Sequence, residues 1–238
     1  MKMLVVIEGG NLEVVETETP QPAPGELLVN IAVSAICGSE VKGYKGGGGV
    51  GTNHGHEGAG VVAAVGEGVD SAWVGKRVGC SAISGCGQCQ WCAQGAYTWC
   101  TTARKFHSAM HADFVAIPPM ACYELPDSID WEVGALVSGD GFGVPFHTDR
   151  NIHNPDAAKI VAIFGLGPIG LGSVMLQHYR GRRVIGVDLS QTRLDFATER
   201  GADHVIKADE ADAVEEIKKL TDGLGADLCI EAVGVPAT

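Results

Sequence analysis

The pattern of hydrophobic and polar positions changes near residue 150 and divides the chain into two parts. In the first part, short β-branched runs at 27–33, 60–65 and 114–117 are separated by turns rich in Gly and Pro. Runs of this kind between turn residues are typical of strands in a loop-rich β domain. We therefore predict that residues 1–150 form an N-terminal domain made mostly of strands.

From residue 157 onward, strand-like apolar runs alternate with helix-like segments. The strand-like runs cover 159–164, 183–188, 204–207 and 226–231, and the helix-like segments cover 169–179, 191–200 and 211–220. This alternation predicts a parallel sheet flanked by helices. A complete dinucleotide-binding fold has six strands. We therefore expect residues 151–238 to hold an incomplete one with about four strands, and Asn154-Pro155-Asp156 to mark the boundary.

Composition and charge exclude several classes of protein. The 238 residues are 45% hydrophobic and 19% charged, which favours a buried core over disorder. The formal net charge is −12 and no basic block is present to neutralise phosphates, so we expect no nucleic-acid partner. The apolar run at 3–7 is too short for a signal peptide or a membrane span. We therefore expect a cytoplasmic protein with no membrane attachment.

Five of the eight cysteines lie between residues 80 and 100, and such clustering indicates metal binding in a reducing compartment. Four of them are separated by two, two and seven residues: Cys86, Cys89, Cys92 and Cys100. Four thiolates at this spacing can close a tetrahedron around Zn²⁺, as in a structural site. A four-iron cluster is the alternative, but the ferredoxin run closes after three residues and a Pro follows it. Here Thr101 follows a longer gap, which favours zinc.

Three of the four thiols outside this cluster have no spaced partner, and we predict that they are buried packing residues: Cys80, Cys122 and Cys229. A second candidate metal site combines more distant residues. Cys37 follows a strand-like run, and His56-Glu57 precede another about twenty residues later. A Cys, a His and an acid from different segments suit a catalytic zinc, which keeps one position open for water or substrate. Taken alone this pattern is weak, because a single His or Cys is more often structural.

A glycine motif follows the apolar run 160–164 and precedes a predicted helix. This is the context that a dinucleotide-binding turn requires. Gly165 permits the tight turn, Gly167 lets the backbone approach a pyrophosphate, and Gly170 lets helix and strand pack closely. Pro168 and Ile169 lie inside the motif and belong to the same predicted site.

Asp188 ends the second strand of this half, eighteen residues after Gly170. There an acid can accept hydrogen bonds from both adenosine ribose hydroxyls, and it would repel a 2′-phosphate, so the sequence favours NAD over NADP. Arg193 follows five residues later. Its side chain is equally suited to contact the ribose or phosphate and to point into solvent.

Several motifs together resemble those of the medium-chain zinc alcohol dehydrogenases. Cys37-Gly38-Ser39, Gly55-His56-Glu57-Gly58-Ala59-Gly60, the four-cysteine lobe and Gly165-Leu166-Gly167-Pro168-Ile169-Gly170 occur in the order found in that family. The resemblance covers nearly the whole chain. It implies a GroES-like zinc-binding catalytic domain at 1–150 and an incomplete Rossmann doubly wound parallel sheet at 151–238.

The resemblance also implies roles for particular residues. Cys37 and His56 match the catalytic zinc ligands, and Glu57 matches the adjacent carboxylate that can ligate the metal transiently. Asp140 occupies the segment of the third stable ligand, although an acid there also suits a helix cap. A Cys, His and Asp set is closest to the secondary-alcohol branch. Ser39 matches the hydroxyl that takes the substrate proton.

Two further positions bear on the cofactor and the proton. The segment Glu231-Ala232-Val233-Gly234 resembles the one that passes beside the cofactor, which places Val233 in the predicted cofactor site. Many family members carry a His three residues after the serine, where this chain has Lys42. The relay past Ser39 must therefore differ, with His54 as one substitute.

The function implied is oxidation of a small alcohol, a secondary alcohol or polyol, to a ketone or aldehyde with hydride transfer to NAD. Two zinc ions per chain are expected, one catalytic and one structural. Full-length members of the family form dimers or tetramers, so the resemblance implies a homo-oligomer. The alternative is a truncated, catalytically inactive protein that binds zinc and nucleotide.

Overall fold

The computed structural model describes residues 1–45 and 49–234, apart from the side chain of Lys42. The chain forms two compact units, Met1–Asp140 and Gly141–Thr238. They meet in sequence at the first residue of the helix Asp140–Arg150, and the division that we predict between residues 150 and 151 falls at the end of that helix.

The first unit is built mainly from strands. Its strands are β1 (Lys2–Val6), β2 (Leu12–Glu16), β3 (Leu27–Ala35), β4 (Glu57–Val65), β5 (Arg77–Cys80), β6 (Ile83–Ser84), β7 (Lys105–Phe106), β8 (Phe114–Ile117) and β9 (Cys122–Glu124). Its helices are α1 (Gly38–Lys45), α2 (Gln90–Ala93) and α3 (Trp131–Ser138), with 3₁₀ turns at Glu8–Gly10, Ser71–Trp73, Tyr97–Trp99 and Pro119–Ala121. The strand-rich character that we predict for this region is confirmed.

Five of these strands form an antiparallel sheet in the order β8-β3-β4-β5-β9. Leu27 and Val29 of β3 are fully buried against Val62 of β4 and Ile117 of β8. Burying each such side chain contributes about 1.5–3 kcal/mol. The three predicted strands are confirmed, and β4 begins earlier than predicted, at Glu57.

Helix α3 packs on this sheet through small side chains. Ala135 lies in a buried cluster with Ala59 of β4 and Leu125, and Trp131 packs against the same cluster. The guanidinium of Arg77 lies 3.6 Å from the centre of the Trp131 ring, a cation–π contact. Because these small residues allow a close approach, the chain just after α3 lies near the start of β4.

The second unit alternates strands and helices. After α4 (Asp140–Arg150) come β10 (Ile160–Phe164), α5 (Pro168–Tyr179), β11 (Arg183–Asp188), α6 (Gln191–Glu199), β12 (His204–Lys207), α7 (Ala213–Leu220) and β13 (Leu228–Glu231). The sheet is parallel and has the order β12-β11-β10-β13. This is the order of the first four strands of a dinucleotide-binding fold. All four predicted strands and all three predicted helices are confirmed.

Helices cover both faces of this parallel sheet. Val161 and Ile163 of β10 pack in one cluster with residues of α5 and α6, whereas Ala162 between them packs in another with Ile217 of α7. Successive residues of a strand face opposite sides, so the sheet is doubly wound as expected. Among the described residues, no helix combines the length and the apolarity needed to cross a bilayer.

One cysteine prediction is wrong. Cys80 and Cys122 are buried, but Cys229 is exposed. It lies on β13, the last strand in the sheet order, between Leu228 and Ile230, which pack against the cluster that contains α5 and α6. Cys229 faces the opposite side of that strand, and there its side chain remains accessible.

Candidate metal and cofactor sites

The pairing of β3 with β4 brings the second candidate metal site together. Ala35 pairs with Glu57, so Cys37 just beyond β3 lies close to His56 just before β4. Asp140, which follows α3, approaches the same point. One ligand atom from each of these four side chains lies within 4.8 Å of the others. Residues separated by up to 103 positions along the chain thus form one cluster.

The distances within this cluster suit a metal ion. The Asp140 Oδ2 atom lies 3.5 Å from His56 Nε2 and 3.5 Å from Cys37 Sγ. His56 Nδ1 lies 2.8 Å from the carbonyl oxygen of His54 and donates a hydrogen bond to it. This bond leaves Nε2 facing the cluster, as an outer partner of a metal-binding His does. A thiolate, an imidazole and carboxylates are the donor set of a catalytic zinc, so the residues present fit this ion.

The charges in the cluster are strongly coupled. The Asp140 carboxylate raises the pKa of His56 to about 10, and His56 in turn lowers the pKa of Asp140. Burial and the Asp140 charge raise the pKa of Glu57. Only a neutral imidazole can ligate a metal, so an ion bound here would replace the proton of His56.

Two side chains flank the cluster. The hydroxyl of Ser39 lies 3.2 Å from Cys37 Sγ and is exposed, so a molecule beside the thiolate can reach it. The ring of Phe106 lies 5.4 Å from the ring of His56, centre to centre, and is 63% exposed. His54 Nε2 lies 2.9 Å from the hydroxyl of Thr52.

A buried network behind the cluster does not follow from the sequence pattern. Glu40 is 3% exposed and its Oε2 atom accepts hydrogen bonds from His111 Nε2 at 2.7 Å and Tyr44 Oη at 2.9 Å. Its Oε1 atom accepts one from the Cys37 N–H at 3.0 Å and lies 3.7 Å from His56 Nδ1. Burial raises the pKa of Glu40, but these donors outweigh it and lower that pKa to about 2.

One signal for Glu40 is present in the sequence, since an acid three residues after Cys37 suits the first turn of a helix. No sequence signal connects this acid to His111, 71 residues later. Only the pairing of distant segments shows that the two side chains meet.

The four-cysteine lobe has the geometry of a thiolate cage. Cys92 Sγ lies 3.5 Å from Cys89 Sγ and 3.9 Å from Cys86 Sγ, and all four sulfur atoms, including that of Cys100, lie within 4.8 Å of one another. A tetrahedral zinc with Zn–S bonds of about 2.3 Å requires sulfur atoms roughly 3.8 Å apart. The lobe therefore fits a structural zinc.

Hydrogen bonds from backbone N–H groups favour the thiolate form of two of these cysteines. Donation from Ala103, Cys86 and Thr102 lowers the pKa of Cys100 to about 6, and donation from Gln88 and Cys89 lowers the pKa of Cys86. Burial raises the pKa of Cys92 to about 11. A bound cation would favour the thiolate form of all four.

The glycine motif forms the turn between β10 and α5. Gly165 has φ +84°, which a side chain would strain, and a Cβ at Gly170 would overlap the carbonyl oxygen of Gly165. Gly167 precedes the first residue of α5, Pro168, and a Cβ there would meet no atom within 4 Å. Open space beside the N-terminus of a helix suits a pyrophosphate.

Asp188 holds this turn at the end of β11. Its Oδ2 atom accepts the N–H of Leu166 at 2.6 Å, and its Oδ1 atom accepts the N–H of Ser190 at 2.8 Å. Burial raises its pKa, but these two donors and Arg193, whose Nη1 lies 3.5 Å away, outweigh burial and lower it. The carboxylate is therefore ionised at neutral pH.

The two remaining predicted cofactor residues lie beside this turn. A Cβ at Gly165 would meet the backbone N of Val233 at 2.8 Å, so Val233 borders the glycine motif. Arg193 pairs with Asp188 and keeps its side chain 54% exposed. The structure thus places Val233 beside Gly165 and Arg193 beside Asp188.

Comparisons with known proteins agree with these sites. Residues 23–127 match the family model "Alcohol dehydrogenase GroES-like domain", and residues 168–238 match "Zinc-binding dehydrogenase". The chain is 33% identical to L-threonine 3-dehydrogenase of Pyrococcus furiosus over 94% of its own length and 66% of the relative's. It is 32% identical to sorbitol dehydrogenase of Bacillus subtilis over 100% of its length and 69% of the relative's.

A solved structure gives the same result for the fold. An alcohol dehydrogenase of Escherichia coli in complex with NADH superposes with a TM-score of 0.85 at 29% identity, covering 99% of this chain and 70% of that one. The chain therefore spans about two thirds of the length of the relatives that it matches. On sequence and on fold, it belongs to the zinc-dependent medium-chain alcohol dehydrogenase family.

Proposed function

We propose that this protein oxidises a small secondary alcohol or polyol to a ketone, or a primary alcohol group to an aldehyde, with hydride transfer to NAD. The observation that carries the proposal is the convergence of Cys37, His56 and Asp140 beside the exposed hydroxyl of Ser39. Threonine and sorbitol, which the names of the relatives indicate, are both secondary alcohols with a polar group on the neighbouring carbon. We therefore place the substrate in that chemical class.

Cys37, His56 and Asp140 would hold the catalytic zinc, and Glu57 would be its neighbouring carboxylate. Zinc bound there supplies Lewis acidity that makes an alcohol easier to deprotonate at neutral pH. The four cysteines of the lobe would hold the second zinc, which leaves no position for substrate. The first site would take part in the reaction, and the second would stabilise the fold.

The residues around the catalytic set act on the proton and on water. Ser39 would accept the alcohol proton, because its hydroxyl is exposed beside the thiolate of Cys37. The exposed ring of Phe106 beside His56 would cover one side of the substrate and exclude water. His54 is the candidate for passing the proton on, because this chain has Lys42 where many family members carry a His.

The glycine motif and Asp188 would bind NAD, which accepts the hydride from the alcohol carbon. The helix N-terminus at Gly167 and Pro168 would face the pyrophosphate. The ionised carboxylate of Asp188 would accept ribose hydroxyls and repel the 2′-phosphate of NADP. Val233 and Arg193 would border the cofactor.

Three measurements on the purified chain test the proposal. We expect two zinc ions per chain, binding of NADH detected by its fluorescence, and NADH production from short secondary alcohols, threonine or sorbitol. Cys37→Ala should abolish turnover and leave NADH binding intact. Turnover that survives in Cys37→Ala would refute the catalytic set, and zinc and NADH binding without turnover in the wild type would favour the inactive alternative.

Two properties of the whole protein stay with this proposal. We place it in the cytoplasm, because eight free thiols, four of them clustered for a metal, suit a reducing compartment. We also propose a homo-oligomer, which sedimentation of the purified protein would test.

A further inference from the structure

We infer that His111 is a positioning residue for the catalytic metal site, which it serves by holding two ligand-bearing segments in place. The inference rests on the proposed function of Cys37 and His56 as metal ligands. It concerns how these ligands are oriented, so metal binding tests it without any need for turnover.

The side chain of His111 fixes the segment that carries Cys37. Its Nε2 atom lies 2.7 Å from Glu40 Oε2, and its Nδ1 atom lies 2.8 Å from the hydroxyl of Ser34. Both ring nitrogens thus have a partner, and the residue is 9% exposed. Glu40 in turn accepts the N–H of Cys37, so a single carboxylate links the His111 ring to the Cys37 backbone.

The backbone around His111 fixes the segment that carries His56. The His111 carbonyl accepts the side-chain N–H of Asn53 at 2.8 Å, and the Met110 N–H donates to the Gly55 carbonyl at 2.9 Å. Asn53 also accepts the Gly55 N–H at 3.0 Å through its side-chain oxygen. The loop that ends at His56 is therefore attached by hydrogen bonds to the segment that contains His111.

Glu40 joins the two attachments. Its Oε1 atom faces both ligand segments, at 3.0 Å from the Cys37 nitrogen and 3.7 Å from His56 Nδ1, while its Oε2 atom binds His111 and Tyr44. A carboxylate this buried is stable only with charged or polar partners. Without His111 its Oε2 atom would keep one donor, and the carboxylate could turn away from Cys37 and His56.

A matched pair of variants separates the two hydrogen bonds of the ring. In His111→Gln the side-chain amide nitrogen reaches the place of Nε2 and can donate to Glu40. In His111→Asn the amide reaches only the place of Nδ1, so the bond to Ser34 can form and the bond to Glu40 cannot. The two variants share polarity and differ by one methylene, so general effects on folding should be similar.

The experiment measures metal affinity at both sites by competition with a chelator, together with the visible spectrum of the Co²⁺-substituted protein. Loss of an outer partner of a metal ligand costs about 10- to 100-fold in affinity. We expect that loss, with an altered Co²⁺ spectrum, at the Cys37–His56 site of His111→Asn. His111→Gln should stay within about threefold of the wild type, and the four-cysteine site should be unchanged in both.

The inference would be overturned if His111→Asn and His111→Gln bound metal at the Cys37–His56 site with equal affinity. It would also be overturned if affinity fell in parallel at both metal sites. If His111→Asn does not fold, Glu40→Gln replaces it and tests the carboxylate through which His111 acts. The amide keeps the volume of the side chain, but its nitrogen cannot accept a hydrogen bond as the second carboxylate oxygen does. The same loss confined to the Cys37–His56 site is then expected, and a loss at both sites would refute the positioning role. A wild type without turnover that still shows the selective loss would refute the proposed function alone.

Discussion

The two candidate metal regions reach similar ligand geometry by opposite means. The four-cysteine lobe takes its ligands from residues 86–100, and its own backbone N–H groups stabilise the thiolate form of two of them, Cys86 and Cys100. The other set spans Cys37 to Asp140 and depends on the register of β3 with β4 and on the packing of α3. A local site of this kind needs only its loop, whereas a distributed site needs the whole sheet.

This difference has a chemical counterpart. Four thiolates saturate a tetrahedral ion, so the lobe has nothing to offer a substrate. The distributed set combines sulfur, nitrogen and carboxylate oxygen, keeps a hydroxyl within reach at Ser39, and has a buried carboxylate behind it at Glu40. Catalysis needs such an open and adjustable arrangement, and its cost is dependence on distant contacts.

The largest effect is expected in the lobe itself. Cys92→Ala leaves three thiolates, so the zinc content should fall from two ions per chain to one while the Cys37 site keeps its metal. A structural zinc contributes folding free energy directly, and we expect a loss of roughly 5 kcal/mol or more from the first unit. Metal analysis and thermal unfolding measure both effects.

The exposed Cys229 supplies the matched control, since it lies far from the lobe in sequence and belongs to neither metal cluster. Cys229→Ala should keep two zinc ions and the wild-type Tm. If Cys92→Ala also retained two ions, the lobe would not be the site of the second zinc.

The next effect tests the dependence of the distributed set on the sheet. A Cβ at Gly60 would overlap the carbonyl oxygen of Asn30 on β3, so Gly60→Ala must push β4 away from β3. Overpacking of this kind costs about 1–3 kcal/mol. We expect a lower Tm and weaker metal binding at the Cys37–His56 site, with the lobe unaffected at temperatures where the protein stays folded.

Gly43 on α1 is the control for this substitution, because a Cβ there would meet no atom of the described residues within 4 Å. Gly43→Ala should leave Tm unchanged or raise it slightly, since Ala favours a helix over Gly. If Gly60→Ala bound metal at both sites with the wild-type affinity, the distributed set would tolerate movement of its strands.

How much the sequence predicts follows the same division between local and distributed features. The bounds of β11 and β12 and the spacing of the four cysteines depend on neighbouring residues, and the structure has them where the pattern predicts. The register that brings Cys37 to His56, and the contact of Glu40 with His111, depend on pairing between distant strands. No periodicity encodes that pairing, so only resemblance indicated Asp140, and nothing indicated His111.

A smaller effect is expected in the second unit, where the residue proposed to bind the cofactor, Asp188, lies at the end of one strand. Asp188→Asn removes the charge that would bind ribose hydroxyls and keeps one oxygen to accept the Leu166 N–H. Hydrogen bonds to a charged group contribute about 1.5–3 kcal/mol. The Kd for NADH should therefore rise about 10- to 100-fold, and discrimination against NADPH should weaken, as fluorescence titration would show.

Asp195→Asn on α6 is the control, since within the described part of the chain that carboxylate binds only the exposed side chain of Gln191, at 2.8 Å. It should bind NADH like the wild type, and both variants should keep two zinc ions. A change in zinc content of Asp188→Asn would contradict the independence of the cofactor and metal determinants.

The smallest effect concerns the stability of the protein in acid, where metals are also released because their ligands are protonated. Asp149 lies outside both metal sets and accepts hydrogen bonds from Arg180 and Arg182, at 3.0 and 2.9 Å. Burial raises its pKa, but the two guanidinium groups outweigh burial and lower it. A carboxylate with a lowered folded pKa stabilises the protein above its unfolded pKa of about 3.9, and this contribution is lost as the pH falls through the folded value.

Asp149→Asn should therefore lower the Tm at pH 7, by a few degrees for a loss of about 1–2 kcal/mol. The difference from the wild type should persist down to about pH 4 and shrink below it, because the wild-type carboxylate then takes up its proton. Zinc content should match the wild type at every pH.

Metal loss that begins above pH 4 in both proteins would then come from protonated ligands alone, and the pH at which each metal site empties can be compared directly. Backbone N–H groups lower the pKa of Cys86 and Cys100, whereas burial raises the pKa of Cys92, so the pH at which the lobe loses zinc shows which of the two effects dominates.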